Sequence, residues 1–489
     1  MAPLPLQAGG WYFRISTDRL MEPTMTSNAL PRCCIIGAGM SGIVTAKALT
    51  DRGIPFDWFE MSDRVGGVWA FENPNGRSAA YRSLHIDTSK GQLEFPDFPM
   101  PADTPHYPHH TQVHAYLQSY VNHFGLDKKV TLETEVADAR RDDQGTWRIR
   151  LGNGQLRSYD ALFVCNGHHW DPRWPEPAYP GKFDGVQIHA HSYRDPFTPH
   201  DLRNRRVLVV GMGNSAMDIA SELCPRHIAQ KLFVSTRRGQ HIFPRFLLGK
   251  PADKGKLYPW LPLSLQRTCG RIVYKLAVGK MEDYGLPKPD HRLFESHGTT
   301  SDTFPSYVSA GDITMRTGIR SLDGDSVVFE DGRREKIDVI IWSTGYRITF
   351  PFFDETFISA PSNKLPLFKR IIKPGIPNLF FIGLAQPSVT LFAIADRQAK
   401  FVAAYLAGEY VLPGPDEQKH TILLDEKRHM SRYYKSARHT MQLDQDIYFD
   451  ELDRELRKGG KRARALGFSR VRPPIPRRAE LVPVAEAAE

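Results

Sequence analysis

Two glycine fingerprints in one chain constrain its fold more than any other feature. Gly37-Ala38-Gly39-Met40-Ser41-Gly42 follows the apolar run Cys33-Cys34-Ile35-Ile36, and Gly211-Met212-Gly213-Asn214-Ser215-Ala216 follows Val207-Leu208-Val209-Val210. Each run reads as a buried parallel strand, each fingerprint as the turn behind it, and a helical pattern follows both. In such a turn the glycines let the backbone bend tightly and come close to a ligand, so the amides at the helix start can hold a pyrophosphate. Two copies predict an α/β chain with two Rossmann-like dinucleotide-binding domains and redox chemistry between two nucleotides.

The chemistry around each copy differs. Glu60 ends the strand Phe56 to Phe59, 18 residues beyond Gly42. An acid there accepts hydrogen bonds from ribose hydroxyls, which selects an unphosphorylated adenosine ribose, as in FAD or NAD. Behind the second fingerprint, Ala216 replaces the third glycine and the strand Leu232-Phe233-Val234 leads into Ser235-Thr236-Arg237-Arg238, with no acid. Two guanidiniums suit a 2′-phosphate, so NADPH is expected over NADH.

Composition narrows the remaining classes. The chain of 489 residues is 41% hydrophobic, enough for two or three domains with true cores. Its net charge of +9 is spread widely, with the densest cluster from Arg457 to Arg464, so it suits anionic cofactors and does not point to nucleic acid. Five cysteines (Cys33, Cys34, Cys165, Cys224, Cys269) form no C-x-x-C, which predicts free thiols in a reducing, cytoplasmic setting. No apolar run reaches the ~18 residues of a membrane helix, because Asp396, Arg397 and Lys400 interrupt the most apolar C-terminal stretch. No metal site is expected.

Between the fingerprints, Phe183-Asp184-Gly185-Val186-Gln187-Ile188-His189-Ala190-His191-Ser192-Tyr193 matches the pattern F-x-G-x-x-x-H-x-x-x-Y. With Gly66-Gly67-Val68-Trp69, Asp97-Phe98-Pro99, Gly213-Asn214-Ser215 with Asp218, Ser343-Thr344-Gly345-Tyr346 and Gln386-Pro387, the chain resembles the flavin-containing monooxygenases over roughly residues 31 to 440. That resemblance implies FAD at the first site, contacted by Gly37, Gly39, Met40, Ser41, Gly42, Glu60, Val68, Trp69, Thr88 and Val136. It implies NADPH at the second, contacted by Gly211, Gly213, Asn214, Ser215, Arg237 and Arg238. Hydride would pass from nicotinamide to flavin, O2 would add to give a flavin 4a-hydroperoxide, and its distal oxygen would go to a soft nitrogen or sulfur nucleophile of a small organic amine or sulfide. Such chemistry asks for a dry, ordered site more than for an acid–base pair.

The catalytic candidates implied are Asp87, His189 and Tyr193, the last two at the domain junction. Asp87, in Ile86-Asp87-Thr88-Ser89-Lys90, departs from the family, which has Asn there. A carboxylate accepts hydrogen bonds and donates none unless protonated, so it cannot present the amide's donor. The substitution brings in a related class, the Baeyer–Villiger monooxygenases, which act on ketones; their linker motif carries Trp where Tyr193 stands. A disulfide reductase would need a cysteine pair facing the flavin, which Cys33 and Cys34, adjacent in one strand, do not provide. A nucleotide-occupied sensor or scaffold is the non-enzymatic alternative.

The implied organisation is an N-terminal extension over 1–30, in which Met21 and Met25 offer later starts, the first part of an FAD domain over 31–170, and an inserted NADPH domain over 171–335 carrying an irregular Pro-rich insert from Phe243 to Pro289. Strands Val339–Trp342 and Leu379–Gly383 are expected to return to the first sheet within 336–412, followed by a helical extension over 413–472 and a disordered tail over 473–489. The segments Phe243–Asp290 and Gln386–Ala395 are expected to line the substrate pocket, and the family resemblance admits a homodimer.

Overall fold

The computed structural model describes residues 30–254, 263–296, 298–387, 389–431 and 440–467. Almost all of the N-terminal extension and the whole of the tail over 473–489 lie outside the described residues.

The first sheet is parallel, in the order Leu379–Phe381, Ala161–Val164, Cys33–Ile36, Phe56–Phe59, Val130–Thr131. Cys33–Ile36 is the central strand and all four of its residues are buried, as a run without polar alternation requires when both sheet faces are covered. Ile36 is in register with Phe59 on one side and Val164 on the other, so three strand ends open at the same level beside the first fingerprint. The helix Met40–Thr50 leaves that turn and packs against the long helix Leu391–Leu406. Trp147–Leu151 is the middle strand of a separate antiparallel sheet with Val136–Arg141 and Leu156–Tyr159. Its alternation is visible in burial: Trp147, Ile149 and Leu151 are inside, Arg148 and Arg150 outside.

The second sheet is also parallel, in the order Val186–His189, Val339–Trp342, Arg206–Val210, Lys231–Ser235, Ile313–Arg316. The expectation that Val339–Trp342 returns to the first sheet is therefore corrected. This strand lies between Val186–His189 and Arg206–Val210, with Ile340 and Ile341 fully buried, and the second sheet runs past residue 335 to 342. An apolar run shows that a strand is central; it does not show in which of two equally apolar sheets. Leu379–Phe381 does join the first sheet. Val130–Thr131 and Val136–Arg141 belong to different sheets, and the insert expected to be irregular contains a regular helix, Leu263–Ala277.

The chain passes from the first sheet to the second and back again through two segments that pair with each other. Tyr346–Arg347 runs antiparallel to Asp171–Pro172, and the amide of Arg173 donates to the carbonyl of Gly345 at 2.9 Å. Helices Pro415–Met430 and Gln445–Ala465 close the C-terminal side, the latter anchored where Gln398 donates to the buried hydroxyl of Tyr448 at 2.8 Å.

Candidate active site

At the first fingerprint, close approach explains the glycines. Gly37 has φ of 99°, and a Cβ there would stand 2.7 Å from the carbonyl oxygen of Cys165; at Gly42 a Cβ would stand 1.9 Å from the carbonyl oxygen of Gly37. Gly39 precedes the helix Met40–Thr50 with no side chain capping it, which leaves the first-turn amides to an outside acceptor. A second glycine turn, Gly66-Gly67, faces the first so closely that a Cβ on Gly67 would lie 2.8 Å from Gly39 Cα.

From this cradle a cavity of about 340 Å³ extends along the strand ends. Of the residues expected at the flavin, Gly37, Gly39, Met40, Ser41, Glu60, Val68, Trp69, Thr88 and Val136 line it; Gly42 lies behind it, where helix and strand meet. Glu60 is buried, its Oε2 accepting the amide of Ala38 at 2.6 Å and its Oε1 that of Ser62 at 2.8 Å. Burial raises its pKa, and these amides oppose the rise. Each oxygen keeps a lone pair, so the same carboxylate can also accept a ribose hydroxyl. An uncapped helix start, a space that any Cβ would fill, and an acid at the neighbouring strand end together fit a dinucleotide such as FAD.

The cavity wall also holds residues that the sequence did not mark. Arg77 stacks over Trp170 at 4.0 Å from the ring centroid, and His168 and His169 stand beside it. Part of each histidine's surface faces the cavity, yet the surrounding protein desolvates both rings and lowers their pKa to about 3 and about 4, so both are neutral. From His169 a chain of rings leads out of the cavity: Tyr346 is 5.4 Å from His169, 5.6 Å from His189 and 5.8 Å from His191.

His189 and Tyr193 lie off the cavity wall, in the packed junction. His189 is buried and held neutral, its pKa lowered to about 4 by desolvation, with Nδ1 accepting the amide of His191 at 3.0 Å. Its Nε2 has no hydrogen-bond partner among the described residues. Tyr193 is fully buried and donates to Glu222 Oε2 at 2.8 Å, while Tyr81 donates to Asp218 Oδ2 at 2.6 Å. Two tyrosines thus grip the helix Asn214–Glu222 one turn apart, so Tyr193 positions the second fingerprint's helix.

Asp87 lies between two cavity-lining residues, Ile86 and Thr88, but its own side chain turns toward Arg245, whose Nη2 is 3.3 Å from Oδ1. Desolvation and the nearby Asp218 carboxylate push its pKa up to about 7, against the pull of Arg245. Arg245 comes from the insert, and its backbone is also engaged: its amide donates to Asp302 Oδ1 at 2.9 Å and its carbonyl accepts from the Tyr107 hydroxyl. Asp253, also from the insert, accepts the amide of Ser89 at 2.6 Å. No sequence signal picks out Arg245, which meets Asp87 only through the fold.

At the second fingerprint, Gly211 has φ of 132°, and a Cβ would lie 2.5 Å from the carbonyl oxygen of Ser343. Gly213 precedes the helix Asn214–Glu222, again without a side-chain cap; Ser215 lies in its first turn, and Asn214 Oδ1 accepts the amide of Thr300 at 3.1 Å. Arg237 and Arg238 project, exposed, beyond the strand Lys231–Ser235, and Arg238 Nε lies 3.2 Å from Asp290.

Two glycine cradles at the strand ends of two parallel sheets, one beside an acid and the other beside two arginines, define a two-nucleotide oxidoreductase. Its cysteines are all free, and Cys33 and Cys34 sit side by side inside one strand. A family model described as flavin-binding monooxygenase-like matches residues 31–461. The chain is 33% identical over 447 residues to flavin-containing monooxygenase 5 of Rattus norvegicus, covering 87% of this chain and 82% of the relative. It is 32% identical over 453 residues to dimethylaniline monooxygenase [N-oxide-forming] 2 of the same organism, with 87% and 82% covered. Its fold is similar to that of S-allyl-L-cysteine S-oxygenase from Allium sativum, with a TM-score of 0.65, 25% identity, and 89% and 92% of the two chains covered. The chain belongs to the flavin-binding monooxygenase family, and is an FAD-dependent enzyme that uses NADPH.

Proposed function

We propose that this enzyme uses NADPH and O2 to oxygenate the nitrogen or sulfur of a small apolar amine or sulfide, with FAD in the cavity of the first sheet and NADPH on the second. The observation that carries it is the pair of glycine cradles joined through the rings of His169, Tyr346 and His189, a junction that, among the described residues, offers no thiol pair. FAD, when bound, supplies a ring that accepts hydride and activates oxygen. The chain's own groups bind, orient and exclude water. The amides at Met40 to Gly42 take the FAD pyrophosphate, and Glu60 takes its ribose. Gly211, Gly213, Asn214 and Ser215 take the NADPH pyrophosphate, and Arg237 and Arg238 its 2′-phosphate. His168, His169 and His189 stay uncharged, which spares the junction a hydrated ion. Asp87 holds a proton near neutral pH beside Thr88, so its carboxyl is able to donate where a fully ionised Asp is not.

The protein is expected in the cytoplasm, from its free thiols, and the family resemblance admits a homodimer. Among the described residues no helix is long and apolar enough to cross a membrane. The test is product analysis. Purified protein should be yellow, consume NADPH and O2, and add one oxygen to members of a panel of amines, sulfides and ketones, read by mass spectrometry. Preferential conversion of ketones to esters or lactones selects the Baeyer–Villiger alternative. Colourless protein, or NADPH turnover yielding only hydrogen peroxide across the panel, overturns the proposal.

A further inference from the structure

The strand Lys231–Ser235 ends without an acid, but one reaches the loop behind it from elsewhere in the chain. The segment Pro287–His291, at the close of the insert, runs alongside Arg238–His241. Gly239 bridges to Pro289, and a Cβ on Gly239 would lie 2.2 Å from the carbonyl oxygen of Pro287. Nε2 of His241 stands 2.9 Å from the carbonyl of His291. So close an approach sets Asp290 against the arginine pair. Its Oδ2 lies 3.2 Å from Arg238 Nε, and its Oδ1 accepts from Nδ1 of His291, whose side chain is 4% exposed, at 3.1 Å. The carboxylate is thus aimed by a buried ring. That bond, with the Arg238 charge, holds the Asp290 carboxyl below the usual aspartate range, so it is ionised at neutral pH.

The two arginines are therefore not equivalent. Arg237 is exposed and makes no ion pair among the described residues, whereas Arg238 is held by Asp290. The backbone between them is pinned as well, because the Thr236 hydroxyl donates to the carbonyl of Arg238 at 2.7 Å. A guanidinium takes a phosphate best through two parallel N–H bonds. To do so Arg238 has to loosen its hold on Asp290, and the phosphate has to settle beside a carboxylate of its own sign. A cofactor that ends the same ribose in a hydroxyl asks nothing of Arg238 and meets no such opposition. Asp290 thus acts against the phosphorylated cofactor alone. The side chains of the pair are 51% and 47% exposed, so water weakens both the attraction and the repulsion, and together they amount to about fivefold in affinity.

We propose, on the assignment of the 2′-phosphate to Arg237 and Arg238, that Asp290 is a specificity-determining residue: it competes with the 2′-phosphate of NADPH for Arg238 and so narrows the preference for NADPH over NADH. The test is isothermal titration of FAD-saturated protein with adenosine 2′,5′-bisphosphate and with adenosine 5′-monophosphate, which lacks the 2′-phosphate. D290N keeps an acceptor for His291 Nδ1 and loses the charge. It should bind the bisphosphate about fivefold more tightly than wild type and the monophosphate equally well. In an R238Q background the same replacement should gain nothing. Flavin content, set at the other cradle, should match wild type in every variant. A gain for neither ligand, or an equal gain for both, overturns the proposal. A gain that persists undiminished in R238Q/D290N overturns it too, because Asp290 then repels the phosphate without acting through Arg238. If R237A/R238A binds the bisphosphate as wild type does, the 2′-phosphate assignment falls and the proposal with it. Loss of binding in R237A/R238A with no gain in D290N overturns the role of Asp290 alone.

Discussion

Replacing Asp87 by Asn should change stability in a pH-dependent way whose size follows from the site. The carboxyl has a pKa of about 7 in the folded protein against 3.8 for an unperturbed aspartate. The folded state therefore binds more protons than the unfolded state between those values, and the stability of the wild type falls as pH rises through that window. About 3 pKa units at about 1.4 kcal/mol each amount to a loss of about 4 kcal/mol, fully present above pH ~7 and absent below pH ~4. The attraction of Arg245 is already contained in that net shift. The carboxamide of the variant does not titrate, so D87N should gain on wild type by roughly 3 kcal/mol between pH 5 and 8. At ~2.1 cal/mol/K per residue, a chain of this length has an unfolding entropy of about 1 kcal/mol/K, so the gain amounts to roughly 2–3 °C in Tm. Differential scanning fluorimetry of both proteins across that range, with FAD saturating, reads it directly. A Tm difference that stays constant from pH 5 to 8 would falsify the picture of a desolvated carboxyl beside Asp218.

Four further outcomes follow from named contacts. G37A should lose flavin, because the added methyl meets the Cys165 carbonyl and the backbone is left-handed there; the ratio of absorbance at 450 and 280 nm measures it, and full flavin content would contradict the close approach. Arg237→Ala should lower the NADPH-over-NADH ratio of kcat/KM by about ten- to a hundredfold, at ~1.5–3 kcal/mol for a charge-assisted bond, with a smaller loss for Arg238→Ala because Asp290 already engages that side chain; an unchanged ratio in the double variant refutes the 2′-phosphate assignment. Tyr193→Phe leaves Glu222 short of a partner, so it should cost about 1–3 kcal/mol, or roughly 1–3 °C in Tm, while kcat stays near wild type; a fall in kcat of a hundredfold at unchanged Tm would instead make Tyr193 a catalytic group. Gln in place of Arg245 frees Asp87 of the cation it faces and should push the inflection that Asp87 gives the kcat profile above pH 7, whereas an inflection that stays in place separates Asp87 from the rate.

Much of this organisation could be read from short-range patterns. The two fingerprints, Glu60 and the Arg237-Arg238 pair are local signals, each within a strand and the turn behind it, and the structure sets nine of the ten expected flavin-site residues on one cavity wall. What escaped depends on long-range closure. Asp87 and Arg245 are 158 residues apart, and no periodicity or spacing links them. An all-apolar strand such as Val339–Trp342 fits any parallel sheet, and only pairing with Val186–His189 and Arg206–Val210 decides between the two. The helix Leu263–Ala277 lies hidden among prolines, with its apolar stripe on the solvent side, where a core-facing pattern gives no guidance.

The pairing of Tyr346–Arg347 with Asp171–Pro172 bears on how such a chain assembles. The first sheet is complete only when Leu379–Phe381 settles beside Ala161–Val164, across more than two hundred intervening residues. Closing a flexible loop of that length carries an entropic cost that grows with the logarithm of its length. Once the inserted half has formed, the segments that enter and leave it, Asp171–Pro172 and Tyr346–Arg347, are paired, and the long excursion shortens to the two adjacent ends of a folded body. The inserted half thus serves as a prefabricated short circuit for the half that surrounds it, and a graft that kept those ends adjacent would leave the host sheet's closure intact.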